Sequence, residues 1–369
     1  MKKRQWIVGL VVLVALIALV VWGRHRIHFD FHEFGSQLAM ANWGRMAIAL
    51  ACIYAGYVVR SVRWALLLRH NKRVGPLSLV DTQVMGFTAV ALIGRVADLV
   101  RPYLVARKTK LELSSQIAVY IVERLSDMGA VALLFSLAIL NIPQRDITAA
   151  INNSAHLAAV NQHAPGLAAF LFRYGGLLLT ILGALFLIAV RVGGEVIAVS
   201  FERVFGMMSQ KLGLAVGHKI RTFRTGLDTI RSFADFASLL VLSLGMWTLI
   251  AASYFETMRA FVASPPLATI TPSHTVLLMV VSGGASIVQL PVLGWFSQIG
   301  IVAAAITGFF GAAPEASTAC AAMLLVITFL GIVPVGLIWA QFENVSLRKV
   351  TVESEQAGEH VAEDVQASE

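Results

Sequence analysis

Charge is scarce in this chain. Asp, Glu, Lys and Arg make up 14% of its 369 residues, where soluble globular proteins carry about 25%, and the deficit argues against an ordinary water-soluble domain. Cysteine is nearly missing as well. Cys52 and Cys320 both sit inside apolar runs, so neither a disulfide framework nor a thiolate metal site can be read from them. The usual signatures of soluble catalysis do not occur: there is no HExxH, no P-loop and no dinucleotide fingerprint. No cofactor and no metal is therefore expected. His25, His28 and His32 in "RHRIHFDFHEF" form a tempting cluster, but beside a helix end they read as interfacial side chains.

What the chain has in excess is apolar sequence. Hydrophobic residues make up 57% of it, and apolar segments fall at about 6–22, 46–68, 79–100, 115–140, 167–190, 236–258, 274–292, 295–313 and 316–340. The fold class is an all-α polytopic membrane protein of about seven to eight transmembrane helices. The net charge of +8 does not point to nucleic acid, because the basic residues lie in loops between apolar segments, as the positive-inside bias places them. The opening "MKKRQWIVGLVVLVALIALVVWGRHR" resembles a signal peptide. It lacks a small-residue cleavage pattern and reads as an uncleaved first span with a cytoplasmic N-terminus.

Two segments are irregular. Residues 79–100 are interrupted by Gly94-Arg95 and Asp98, and 274–292 contain Gly283, Gly284, Ser286, Gln289 and Pro291. If 79–100 crossed the membrane, the strongly basic flanks 60–73 and 101–110 would face opposite sides. If it dips in and returns, nineteen basic residues fall on the cytoplasmic side and five outside. The re-entrant reading is the better one. Segment 274–292 is its counterpart from the other face, and paired broken segments in two halves point to an inverted repeat with a midplane site. Residues 191–235 interleave apolar and basic positions as an amphipathic cytoplasmic connector, equally readable as an ordinary solvated helix. Thus 1–340 is expected to be the membrane domain and 341–369 a disordered polar tail.

Charges at bilayer depth are costly and usually pair or line a watery cavity. Away from the loops, Arg95 and Arg124 have no simple route to the interface, whereas Arg173 can snorkel. In "AVYIVERLSDMGAVALLF", Glu123 and Asp127 lie four apart on one helix face, with Arg124 three before Asp127 and Tyr120 extending the face. Arg95, Asp98 and Arg101 can meet them. The formal charges of the six balance, so one reading is a self-neutralised network of Arg95, Asp98, Arg101, Glu123, Arg124 and Asp127 that holds the broken segment. The other leaves Arg95 and Arg101 to grip a lipid phosphate, for which the planar guanidinium fork is suited. Tyr120, Gly283, Gly284, Gln289, Pro291 and Gln298 are candidates to line a cavity, although small residues there equally allow close helix packing.

"GRVADLVRPYLVARK", "SSQIAVYIVERLSD" and "SGGASIVQLPVLGWFSQIGIVAAAITGFFG" resemble the lysylphosphatidylglycerol synthase transmembrane-region, or flippase-like, family over about 5–340. That family more often has Gly-Glu where this chain has Ala97-Asp98. The resemblance implies a membrane domain that moves or presents anionic or lipid-linked molecules across the bacterial inner membrane. Namesake proteins carry a cytoplasmic aminoacyl-transferase domain after the membrane region. Here about 29 polar residues follow Ala340, too few for one, so lysine transfer is not expected of this chain. The leading expectation is a lipid flippase or translocase for an anionic phospholipid or a polyprenyl-phosphate-linked lipid, a transporter rather than an enzyme. An integral-membrane glycosyl or group transferase and a non-transporting scaffold are the alternatives. The expected partners are membrane lipids and a separate lipid-modifying enzyme.

Overall fold

The computed structural model describes residues 29–144, 148, 166–207, 209–210, 232–285 and 293–367, and every regular element among them is a helix. The first span expected at 6–22, together with His25 and His28, lies outside the described residues. The chain runs through α1 (Phe31–Ala39), α2 (Trp43–Leu68), α3 (Val80–Ile93), α4 (Val100–Thr109) and α5 (Leu113–Leu140). It continues with α6 (Leu167–Gly206), α7 (Phe233–Arg259), the single turn α8 (Pro265–Ala268) and α9 (Pro272–Ala285). The last elements are α10 (Leu293–Phe310), α11 (Pro314–Thr328), α12 (Val333–Phe342) and α13 (Leu347–Ala367). Among the described residues four stretches are long and apolar enough to cross a membrane, Trp43–Leu68, Pro76–Ile93, Ala234–Arg259 and Pro314–Phe342. At 28 residues α5 is also long enough, but Glu123, Arg124 and Asp127 near its middle break its apolar run.

The two longest-packed spans, α2 and α7, form an antiparallel pair. Each begins with a side chain that satisfies free backbone N–H groups of the first turn: Asn42 accepts from Arg45 N at 3.1 Å, and Ser232 forms a reciprocal capping box with Asp235. Arg45 pairs with Glu256 at 2.6 Å at one end, while Arg69 and His70 both reach Asp235 at the other. The two halves of the chain therefore start from opposite ends of the molecule.

After α2 the chain enters a helical hairpin made of α3 and α4. A 3-10 turn (Pro76–Leu79) runs directly into the 14 residues of α3. Gly94 ends α3 with φ 95° and ψ −169°, a conformation that a side chain would strain, and a 3-10 turn (Arg95–Leu99) redirects the chain into α4. The arms run back along one another. Asp81 pairs with Lys108 at the mouth, and Lys72 Nζ donates to the Thr109 carbonyl at 2.8 Å. The flanks 60–73 and 101–110 thus meet at one end of the molecule.

A second hairpin follows α7. Its arms α9 and α10 are antiparallel: His274 packs on Phe310 with ring centroids 5.7 Å apart, and Gln298 Nε2 donates to Ser282 Oγ at 3.3 Å. The stretch 295–313, expected to be a separate span, forms the 18-residue second arm of this hairpin, and its polar contacts point back to α9. The turn of this hairpin, with Gln289 and Pro291, lies outside the described residues.

Packing between the halves is reciprocal. α3 lies against α12, while α9 lies against α5, and each returning arm packs on the helix that follows it, α4 on α5 and α10 on α11. With α2 and α7 antiparallel at the centre, this is the arrangement of an inverted repeat.

Two sequence expectations are corrected. The connector expected to begin at 191 does not: α6 continues without a break from Leu167 to Gly206, and most of 207–231 lies outside the described residues. The tail is not disordered where it follows Asn344. Leu347, Val350, Thr351 and Ser354 share one face of α13 at helical spacing and are buried against the first hairpin, where Tyr103 donates to Glu353 at 3.1 Å. Low average hydrophobicity concealed that stripe.

Candidate functional site

Four arginines and two carboxylates converge where α2, α4 and α5 meet α7. Arg63, on α2, is fully buried and is the hub: one Nη contacts Glu123, and the other lies 2.6 Å from Asp127 Oδ1 and 2.9 Å from Ser243 Oγ. Arg101, on α4, reaches both oxygens of Glu123, at 3.2 and 2.7 Å, and donates to Gln83 Oε1 at 3.3 Å. Arg124 lies 3.1 Å from Asp127 Oδ2 and 3.8 Å from Glu123. Trp247 Nε1 on α7 completes Asp127 at 3.2 Å. The two acids are thereby fully engaged.

Backbone geometry puts Arg101 there. Gly86 on α3 faces Arg101 so closely that an added Cβ would stand 2.8 Å from the Arg101 Cβ, so the hairpin closes to this distance only because α3 carries hydrogen at that position. Aromatic faces then enclose the guanidinium groups. The Arg101 carbon lies 5.0 Å from the Trp64 ring centroid, 4.9 Å from Phe87 and 5.0 Å from Tyr120. Arg124 lies 5.3 Å from Tyr120, and Arg60 4.5 Å from Phe87. Rings this close hold each cation by the quadrupole of the ring.

Arg60 differs from the other three. Three residues before Arg63 on α2, it forms no ion pair with the two acids, and its enclosed Nη1 has no hydrogen-bond partner among the described residues. The same holds for Gln83 Nε2, Gln116 Nε2, Arg63 Nε and Arg124 Nε. The amide orientations are set, because Gln83 Oε1 accepts from Arg101 and Gln116 Oε1 accepts from Trp64 Nε1 at 3.0 Å. Glu123 Oε2 and Asp127 Oδ2 also lack a hydrogen bond, although each has an arginine within ion-pair distance. Buried polar groups are normally paired, and here the unmatched donors outnumber the unmatched acceptors.

The sequence-selected residues do not all gather here. Arg101, Glu123, Arg124, Asp127 and Tyr120 do. Arg95 lies exposed on the turn after Gly94, and Asp98 is half-buried on the same turn, outside the ion pairs of the cluster. The turn that carries both continues past the buried level that Arg101 occupies. Gly283 and Gly284 are exposed at the end of α9, and Gln298 is buried in the second hairpin beside Ser282, away from the arginines. Among the described residues no group of three or more His, Cys, Asp or Glu could hold a metal ion. A cavity of about 660 Å³ lies elsewhere, between Leu92 and Ile93 of the first hairpin and Leu337, Ala340 and Leu347. Its wall is mostly apolar and shares no residue with the cluster.

Arg60 and Arg63 escaped sequence reasoning. The apolar segment 46–68 and the basic flank 60–73 overlap at these two residues, and counting them as flank removed them from the buried charges. The helical spacing of Tyr57, Arg60 and Trp64 on one face was the signal that could have kept them.

No curated protein matches the chain. A family model, described as the lysylphosphatidylglycerol synthase TM region, matches residues 6–337, a range that takes in both hairpins and the whole arginine cluster. The protein is a multi-pass membrane protein and belongs to the lysylphosphatidylglycerol synthase TM region family.

Proposed function

We propose that the protein is a lipid translocase of the inner membrane that takes hold of a lipid phosphate at Arg60 and Arg124. The carrying observation is the set of unmatched donors around Arg60, Gln83, Gln116 and Arg124. Phosphate oxygens are the acceptors such a set lacks, and guanidinium forks bind them in plane. Arg101, the arginine favoured by the sequence, is committed to Glu123 and serves to fix it.

Depth supports a lipid ligand. Arg63 lies five residues before the end of α2, about 7.5 Å, and Glu123 lies ten residues into α5, about 15 Å. The cluster is then roughly 10 Å below the basic end, within reach of a headgroup drawn inward from that leaflet. The basic flanks assign this end and the N-terminus to the cytoplasm, and the first hairpin enters from there as a re-entrant pair. A transferase needs a carboxylate available as a base, and Glu123 and Asp127 are both occupied by arginines.

The test is headgroup accessibility in liposomes containing the purified protein and a fluorescent anionic phospholipid. Arg60→Gln should slow translocation at least about tenfold while leaving the melting temperature in detergent unchanged, because Arg60 compensates neither acid. Arg60→Lys should restore activity only in part, since it supplies a point charge without the fork. If Arg60→Gln translocates at the wild-type rate, or if activity simply follows the amount of folded protein, the proposal is wrong.

A further inference from the structure

We infer that the ligand of this cluster carries two negative charges, as a phosphate monoester or a diphosphate does, rather than the single charge of a phosphodiester headgroup. This rests on the phosphate-binding reading above and goes beyond it to the class of substrate.

The formal charges carry the inference. Arg60, Arg63, Arg101 and Arg124 face Glu123 and Asp127 in one cluster, Arg63 and Arg101 buried and Arg60 and Arg124 half-buried, which leaves an excess of two positive charges among the described residues. Asp98 does not offset them, since it lies half-buried on the 3-10 turn and pairs with none of the four. Unbalanced charge away from water is expensive, and it is tolerated when the missing counter-charge arrives with a ligand. One anionic oxygen would leave one arginine uncompensated. A dianion balances the group and presents enough oxygens for Arg60 Nη1, Arg124 Nε and the Gln83 and Gln116 amides, all of which lack acceptors.

Aromatic enclosure sharpens the selection. Phe87 and Tyr120 stand 4.5 to 5.3 Å from the guanidinium carbons of Arg60, Arg101 and Arg124 and narrow the directions from which an anion can reach them. A terminal phosphate, with three oxygens free of ester bonds, can meet two edges at once. The phosphate of a diester has only two such oxygens and is flanked by carbon on both sides.

The experiment measures binding to the full-length protein in detergent, with phosphatidic acid as the monoester lipid, phosphatidylglycerol as the diester lipid, and glycerol phosphate as a soluble monoester. At pH 8 the monoester is close to fully dianionic, given a second pKa near 6, and phosphatidic acid should bind at least about tenfold more tightly than phosphatidylglycerol. At pH 5.5 the preference should shrink to about twofold or less, as the second charge is lost. Arg60→Gln should remove the preference at pH 8, and its melting temperature reports whether the variant is folded. Arg60→Lys, which keeps the charge, should retain the preference and covers the case in which Arg60→Gln does not fold. Equal binding of the two lipids, both weakened by Arg60→Gln, would overturn the dianion inference and leave the phosphate reading standing. Binding that is indifferent to Arg60 would overturn both. If glycerol phosphate binds as tightly as phosphatidic acid, the dianion inference holds and the lipid reading falls.

Discussion

The two helical hairpins occupy equivalent places in the two halves and are held by different chemistry. The first, α3 and α4, is tied to its neighbours by Arg101, Glu123, Arg63 and Asp127, all buried ions. The second, α9 and α10, is tied by neutral groups: Tyr254 donates to Ser282 at 2.8 Å, and Gln298 donates to the same hydroxyl at 3.3 Å. One packing scheme therefore carries a charged site in one half and an ordinary polar contact in the other. The contrast separates scaffold from site, since the neutral hairpin shows that the geometry does not need ions to close. That the first hairpin nevertheless carries charge is in keeping with the phosphate ligand proposed for it.

The largest effect expected concerns the way the first hairpin enters the membrane, because it is all or none. In a background with Cys52 and Cys320 replaced by alanine, cysteines at Asn71 and Lys110, both exposed, should be labelled by an impermeant reagent from the same face. A cysteine at His274, at the start of the second hairpin, should be labelled only from the opposite face. Labelling of positions 71 and 110 from opposite faces would end the re-entrant reading.

Next in size is the removal of one acid. Glu123→Gln strands Arg63 and Arg101, and breaking a buried pair in this way costs about 3–5 kcal/mol, seen as a large fall in melting temperature or loss of expression. The double change Arg101→Met with Glu123→Gln should recover most of that stability, since Arg63 keeps Asp127. If the double variant is no more stable than Glu123→Gln alone, Glu123 and Arg101 do not act as a pair. The smallest effect belongs to the neutral hairpin. Tyr254→Phe deletes one hydroxyl contact and should cost about 1 kcal/mol, with translocation unchanged once the amount of folded protein is matched. A loss as large as that of Glu123→Gln would show that the two hairpins are not built differently after all.

How far the sequence could be read follows from the physical character of each signal. The first hairpin was legible because Gly94-Arg95 and Asp98 interrupt an apolar run, and the basic flanks 60–73 and 101–110 require the chain to return. The second was legible only in its first arm, since nothing in 295–313 distinguishes an 18-residue returning arm from a short span. Glu123, Arg124 and Asp127 stood out as charges spaced along one helix face. Arg60 and Arg63 did not, because positions near a helix end look like loop until a neighbouring helix is seen to cover them. Arg95 is the converse case: its place in an apolar run marks it as unusual but does not reveal that it stands outside the ion pairs of the cluster. In α13 the buried face is only Leu347, Val350, Thr351 and Ser354, so an average over the tail concealed a periodic stripe.

The pairing of α2 with α7 has a mechanical consequence. The two rods are riveted at both ends, by Arg45 to Glu256 and the Asn42 amide to the Ala260 carbonyl at one end, and by Arg69 and His70 to Asp235 at the other. Telescoping one half past the other would have to break both rivets together. Rolling one rod about the other leaves both intact and swings the attached hairpins in opposite senses. In the translocase proposed above, the working stroke would be a rotation about this axle, with the arginine cluster close to it, where a small turn would barely shift the ligand while the outer arms travel furthest.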